Sequence, residues 1–315
     1  MHSRMRITFL GTAGALPSVD RAPSAVLLER EGERLLFDCG EGTQRQMMRF
    51  RTGFAIDVIC ITHLHGDHIL GLPGLLQTMD FNGRTASLEI IAPPGGQAAL
   101  EELVGVGGFD PSFPLHIVTA TPGTPAIETS AYTVTPVATD HRGGPSVGYL
   151  LREADRLGRF DRAAAEALGV PPGPLFGQLH RGESVELADG RVVHSEAVVG
   201  PPRPGRQMLY TGDTRPLGAV DAVEGEVDLL IHDATFTDAD AARAETTGHS
   251  TAAEAAADAV ANEAHRLALV HLSSRYGGDT SDLLAEARAV ASDATVLAPE
   301  DGETVVLPVR DAGDV

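Results

Sequence analysis

The chain has 315 residues, 43% of them hydrophobic but only 4% aromatic, with no tryptophan and two cysteines. That balance suits a globular α/β interior and excludes a disulfide scaffold, a disordered chain and a run of about 18 apolar residues able to cross a membrane. Twenty-four basic side chains, all arginine, stand against 44 acidic ones, a net charge of -20; such an acid excess fits a protein kept soluble at high salt and argues against any nucleic-acid partner except where salt screens charge to within roughly 3 Å.

In chain order, short β-like runs come first: MRITFLG, SAVLLER, RLLFDCG and DVICIT, the last ending at Thr62. Helical patterns follow in GTQRQMMRF and ILGLPGLLQTM. Further strands are predicted at LEIIAP, YTVTPVAT, SVGYLLR, QMLYTGD, VDLLIHD and LALVHLS, with a helix at TAAEAAADAVANEA. The alternation is that of a layered α/β fold. Cys39 and Cys60 sit inside apolar runs and are expected to be buried free thiols. Residues 152–204 read differently, with a short helical piece, a Pro/Gly-rich stretch and a hairpin around Asp189 and Gly190, and are expected to be an insertion in the main body; the alternative is a linker between domains. With no signal-like or spanning segment, a soluble cytosolic protein is expected.

Chemistry concentrates in THLHGDH, which puts His63, His65, Asp67 and His68 at the C-terminal end of a predicted strand, the edge where α/β sheets carry their sites. One such histidine would be unremarkable; four ligand-type groups in six residues have little structural use. His141, Asp213 and His271 each follow a later strand-like run. Together they fit a two-metal site, with His63, His65 and His141 on one ion, Asp67, His68 and His271 on the other, and Asp213 bridging. Imidazole-rich donor sets favour two zinc ions over magnesium, with manganese or iron as open alternatives.

THLHGDH resembles the HxHxDH signature of the metallo-β-lactamase superfamily, and FLGTAGALPS, LLFDCGEGTQRQ, GDTRP, HDATF, GHST and HLSSRY together resemble the ribonuclease Z family along nearly the whole chain. The resemblance implies a four-layer αββα metallo-β-lactamase sandwich with a protruding exosite arm at about 152–204. It implies a homodimeric, cytoplasmic endoribonuclease that removes the 3′ trailer from precursor tRNA by attack of metal-bound hydroxide, leaving a 3′ hydroxyl on the tRNA and a 5′ phosphate on the trailer. Asp67 is then expected to take the water's proton as well as to ligate. His249, in the family's HST loop, becomes the candidate proton donor, oriented by Asp233, which stands where the family's HEATF motif has glutamate; the alternative for His249 is a residue preceding a helix cap at Ser250 or Thr251. Ser273 and Arg275 are candidates to hold a phosphate, or else a cap and a surface arginine. On the arm, Arg152, Arg156, Arg159, Arg162, Arg181 and Arg191 replace the family's lysines as phosphate contacts. A lactone, thioester or sulfate-ester hydrolase of the same fold is the second reading, and a non-catalytic RNA-binding subunit the third.

Overall fold

The computed structural model describes residues 4–309. Its elements, in order, are β1 (Met5–Gly11), β2 (Ala25–Arg30), β3 (Glu33–Phe37), α1 (Thr43–Arg49), β4 (Val58–Cys60), α2 (Gly66–Ile69), α3 (Leu72–Phe81), β5 (Leu88–Ala92), α4 (Gln97–Val104), β6 (Leu115–Thr119), β7 (Ile127–Glu128), β8 (Tyr132–Ala138) and β9 (Val147–Glu153). There follow α5 (Arg162–Ala167), α6 (Pro174–His180), β10 (Val185–Glu186), β11 (Val192–Val193), β12 (Gln207–Tyr210), β13 (Leu229–Asp233), α7 (Ala241–Thr247), α8 (Ala252–Ala261), β14 (Arg266–Val270), α9 (Ser281–Val290), β15 (Thr295–Leu297) and β16 (Thr304–Leu307).

The chain divides into two compact units, one running up to Arg152 and again over Gln207–Pro308, the other Glu153–Arg206. The larger unit holds two seven-stranded sheets, ordered β16-β1-β2-β3-β4-β5-β6 and β15-β14-β13-β12-β9-β8-β7. Alternating residues of the strands explain the layers. One set, including Ile7, Phe9, Leu35, Phe37, Tyr149, Met208 and Ile231, forms a fully buried core between the sheets. The opposite set of the first sheet, such as Leu27, Leu36 and Ile90, packs on Leu72, Leu75 and Leu76 of α3 and Leu100 of α4. That of the second, such as Leu209, Leu230 and Leu269, packs on the alanine face of α8 and on Leu283 of α9. With both faces covered, the central strands β3, β4, β5, β12, β13 and β14 are rich in apolar residues. The result is the expected αββα sandwich.

Two parallel runs position the site. β3, β4, β5 and β6 are parallel in the first sheet, and β12, β13, β14 and β15 in the second. Thr62–His68 follows β4, Thr211–Asp213 follows β12, Asp233 ends β13, and His271 follows β14; all therefore emerge at strand C-termini. The helix expected near Ile69 begins earlier: Gly66–Ile69 already forms one turn, and Gly71 separates it from α3, so Asp67 and His68 lie on helical rather than loop backbone. Both cysteines are free and buried, and burial pushes the Cys39 thiol up to about 12.

The smaller unit starts one residue after and ends two residues after the bounds read from composition. It has its own small core of Ala165, Val170, Leu179, Val185, Leu187, Val193 and Val198. The hairpin is present as β10 and β11, with Gly190 at φ 83° in its turn. The Pro/Gly-rich stretch is not irregular throughout, because it contains α6. Pro174 opens that helix, where a missing N–H costs nothing, and Gly182 lies in the left-handed region just past its end.

Candidate metal centre and the histidine beside it

His63, His65, His141 and Asp213 converge, as do Asp67, His68, Asp213 and His271, each set offering ligand atoms within 4.8 Å of one another. Asp213 belongs to both: its Oδ2 lies 3.6 Å from His63 Nε2, 4.0 Å from His141 Nε2 and 3.3 Å from His271 Nε2, and its Oδ1 lies 3.3 Å from His68 Nε2. All except His65 and Asp67 are buried.

The hydrogen bonds on the far side of each ring decide what faces the centre. His141 Nδ1 donates to the Gly248 carbonyl at 2.7 Å, and His68 Nδ1 to Asp38 Oδ2 at 2.8 Å. Thr235 Oγ1 gives its proton to Asp233 Oδ1, so it must accept from His271 Nδ1, 2.8 Å away. Thr62 Oγ1 likewise donates to Asp38 and accepts from His63 Nδ1 at 3.1 Å. Each of these four imidazoles is thereby fixed with a proton on Nδ1 and with Nε2 facing the centre. His65 turns its other nitrogen inward: Nδ1 sits 3.0 Å from His63 Nε2 and 3.1 Å from His141 Nε2.

Lone pairs and carboxylate oxygens crowded this closely repel unless cations or protons lie among them. Burial lowers the pKa of His63, His65 and His141 despite Asp213, so that half of the cluster stays neutral and calls for a cation. In the other half burial also opposes charge, but the carboxylates outweigh it, raising His68 well above its ordinary value and His271 to about 9; protons can stand in there. Burial resists ionisation of Asp67 too, and His271 and His68 overcome it, holding its carboxyl far below the usual range. His68 Nε2 and Asp213 Oδ1 are buried without a hydrogen-bond partner. The donor set therefore fits metal ions, and fits them at both halves.

A third grouping adjoins these. His249 Nδ1 donates to Asp233 Oδ2 at 2.8 Å, so the shorter side chain at the HDATF position does reach, and the His249 ring stacks on His271 with centroids 4.9 Å apart. The helix start beside it is capped by Thr251, whose side chain accepts from Glu254 N while Glu254 returns to Thr251 N. Ser250 is not the cap; its hydroxyl donates to the Thr214 carbonyl.

The remaining candidates are placed less tellingly. Ser273 caps the short turn Ser274–Tyr276, and Arg275 pairs with Asp240 and lies 5.3 Å from the Phe236 ring centroid, the capping and surface alternative. In the smaller unit, Arg162 pairs with Glu166, Arg181 with Glu183 and Arg191 with Asp189, all exposed, while Arg156 donates to the Pro204 carbonyl. Arg159 is exposed. Arg152 pairs with Glu224 in the larger unit.

Several residues that matter here were not singled out from the sequence. Asp38, at φ 56° and fully buried, accepts from Thr62 N, Thr62 Oγ1, His68 and the Tyr210 hydroxyl. Gly14 lets the first loop approach His271, whose carbonyl would lie 2.8 Å from an added Cβ. Gly248, at φ 71°, presents its carbonyl to His141 where a Cβ would meet Arg142 N at 2.7 Å. The sequence signal for Asp38 and Gly14 is their place inside FDCGEG and GTAG, two of the motifs carrying the family resemblance.

Fold and site together define a metallohydrolase of the metallo-β-lactamase fold. The metallo-β-lactamase fold protein YhfI from Bacillus subtilis superposes with a TM-score of 0.66 over 96% of this chain and 99% of that one, at 19% identity. Human tRNase Z, short form, gives 0.66 over 96% and 100%, at 28% identity. A family model described as Anti-Pycsar protein Apyc1 matches residues 5–109. Ribonuclease Z of Haloferax volcanii is 56% identical over 98% of this chain and 96% of its own, and that of Natronomonas pharaonis 57% over 98% and 99%. The chain belongs to the ribonuclease Z family.

Proposed function

We propose that the chain is a zinc-dependent endoribonuclease that removes the 3′ trailer from precursor tRNA, cutting after the discriminator nucleotide. The observation that carries this reading is the largely buried His/Asp cluster with an Asp233–His249 pair at its edge, in a chain more than half identical to proteins named ribonuclease Z. His63, His65, His141 and Asp213 would hold one ion, and Asp67, His68, His271 and Asp213 a second. Bound there, zinc supplies hydroxide near neutral pH and neutralises charge on the scissile phosphate. Asp67 accepts the proton of the attacking water. Water oxygen bonds to phosphorus as the bond from phosphorus to the 3′ oxygen breaks. His249 gives the proton on Nε2 to that departing oxygen, Asp233 holding the ring by Nδ1 and balancing the charged form. The products are a 3′ hydroxyl on the tRNA and a 5′ phosphate on the trailer.

In this reading 153–206 is the arm that grips tRNA, the enzyme works as a cytoplasmic homodimer, and high salt is its setting, in keeping with the acid excess and with relatives from Haloferax and Natronomonas. The test is incubation of zinc-, manganese- or iron-loaded protein, at low and molar salt, with a 3′-extended tRNA precursor, a lactone and a thioester, with RNA ends mapped. Cleavage at the discriminator supports the proposal; lactone or thioester turnover without RNA cleavage under any condition overturns it in favour of a small-molecule hydrolase.

A further inference from the structure

Arg215 lies two residues beyond Asp213, and its contacts gather the loops that build the site. Its backbone N–H donates to the Asp140 carbonyl at 2.8 Å, next to His141. Its guanidinium donates to the backbone carbonyl of His249 and to both oxygens of Glu254, at 3.1 Å and 2.7 Å. Glu254 in turn holds Thr251 N at 2.9 Å, on the far side of His249 and Ser250. The neighbour Thr214 continues the pattern: its N–H donates to Asp233 Oδ2 at 3.1 Å, the same oxygen that holds His249, and its carbonyl accepts from Ser250 Oγ at 2.7 Å.

Two segments far apart in sequence are thus joined by a fork. The planar guanidinium has a donor edge for the carboxylate and a further N–H for the carbonyl, a combination that an ammonium group cannot match in geometry. The pair is three-quarters shielded or nearly so, with side-chain exposure of 23% for Arg215 and 31% for Glu254, so salt weakens it less than a surface pair.

We infer that Arg215, with Glu254, is a positioning residue for proton delivery: it fixes the His249 backbone against the Asp213 loop, so that His249 Nε2 is aimed at the departing 3′ oxygen. The inference rests on the proton-donor role proposed for His249. A displacement of that ring by about 1 Å is enough to cost on the order of 100-fold, the scale of general-acid catalysis itself.

The test uses single-turnover cleavage of two precursor tRNAs, one natural and one with sulfur in place of the bridging 3′ oxygen, whose thiolate leaves without needing a proton. With the full-length, zinc-loaded chain, Arg215→Ala is expected to lose about 30- to 100-fold on the natural precursor and less than about threefold on the sulfur precursor. Arg215→Lys is expected to regain part of the loss. Glu254→Gln keeps a hydrogen-bonding cap for Thr251 and gives the same selective signature, so an Arg215→Ala chain that fails to fold leaves the question answerable. His249→Ala separates this inference from its parent: if His249→Ala slows both substrates equally, the donor role of His249 fails. If His249→Ala shows the sulfur rescue while Arg215→Lys and Glu254→Gln slow both substrates equally, or neither, Arg215 is not a positioning residue.

Discussion

The larger unit and the segment 153–206 treat charge in opposite ways. In the body, His63, His141, His68 and His271 are tethered from behind and their free nitrogens converge with Asp213, so unlike charge must come from outside the chain. In the segment, Arg162, Arg181 and Arg191 are each satisfied by an acid four or two residues away. Those exposed pairs are worth at most about 1 kcal/mol and open at little cost, so a polyanion can exchange for the carboxylates. An unsatisfied buried cluster is committed to one kind of partner; a self-satisfied surface is merely available to one.

Breaking the first side of that contrast has the largest expected effect. His65→Ala removes the one imidazole that turns Nδ1 inward and should reduce precursor cleavage to below about a thousandth, the combined scale of lost nucleophile activation and lost charge stabilisation, measured by single-turnover kinetics. Removing the second side should be selective instead. Arg152 and Gln207 are directly paired across β9 and β12, so deleting 153–206 and inserting Asn-Gly closes a two-residue hairpin. That variant should hydrolyse bis(p-nitrophenyl) phosphate within about threefold of the parent while losing tRNA cleavage by about 100-fold or more; intact tRNA cleavage would show that 153–206 is not the arm.

Smaller effects sharpen the comparison. Asp38→Asn leaves every proposed ligand in place but weakens the hold on His68 and Thr62, and should lower metal affinity by about 10- to 100-fold in competition with a chromophoric chelator. Of comparable size is a pH effect on the stability of the metal-free protein. His271 is raised from an ordinary 6.5 to about 9, so the folded state holds its proton more tightly than the unfolded chain. That contribution is complete below 6.5 and is lost as pH rises through 9, a decline on the order of 3 kcal/mol in the larger unit. Urea titrations at pH 6 and pH 9.5 measure it, and zinc should abolish or reverse the trend because it replaces the proton.

What the sequence made legible follows from range. THLHGDH carries four site residues in six positions, and the later three each stand just past an apolar strand, so periodicity alone placed them. The alternation of apolar runs and helical patterns made a layered α/β fold readable, whereas the αββα arrangement came only from the motifs that carry the family resemblance. Asp38 was not readable, because its role depends on Thr62, His68 and Tyr210, up to 172 positions away, which no local pattern encodes. Gly14 matters through what a Cβ would strike, and Gly248 through that and through the carbonyl it gives to His141, neither of which a local pattern encodes. The helix α6 was hidden by the prolines and glycines that start and stop it.

The tethers behind the histidines also set a timetable. His63, His65, Asp67 and His68 are made early, but Asp213, Thr235, Gly248 and His271 belong to the last third of the chain. A nascent or truncated polypeptide therefore offers a passing ion only the side chains of the His63–His68 loop, without Asp213, His271 or the tethers that hold the rings. Metal acquisition thus becomes a step that only a finished, correctly folded molecule completes.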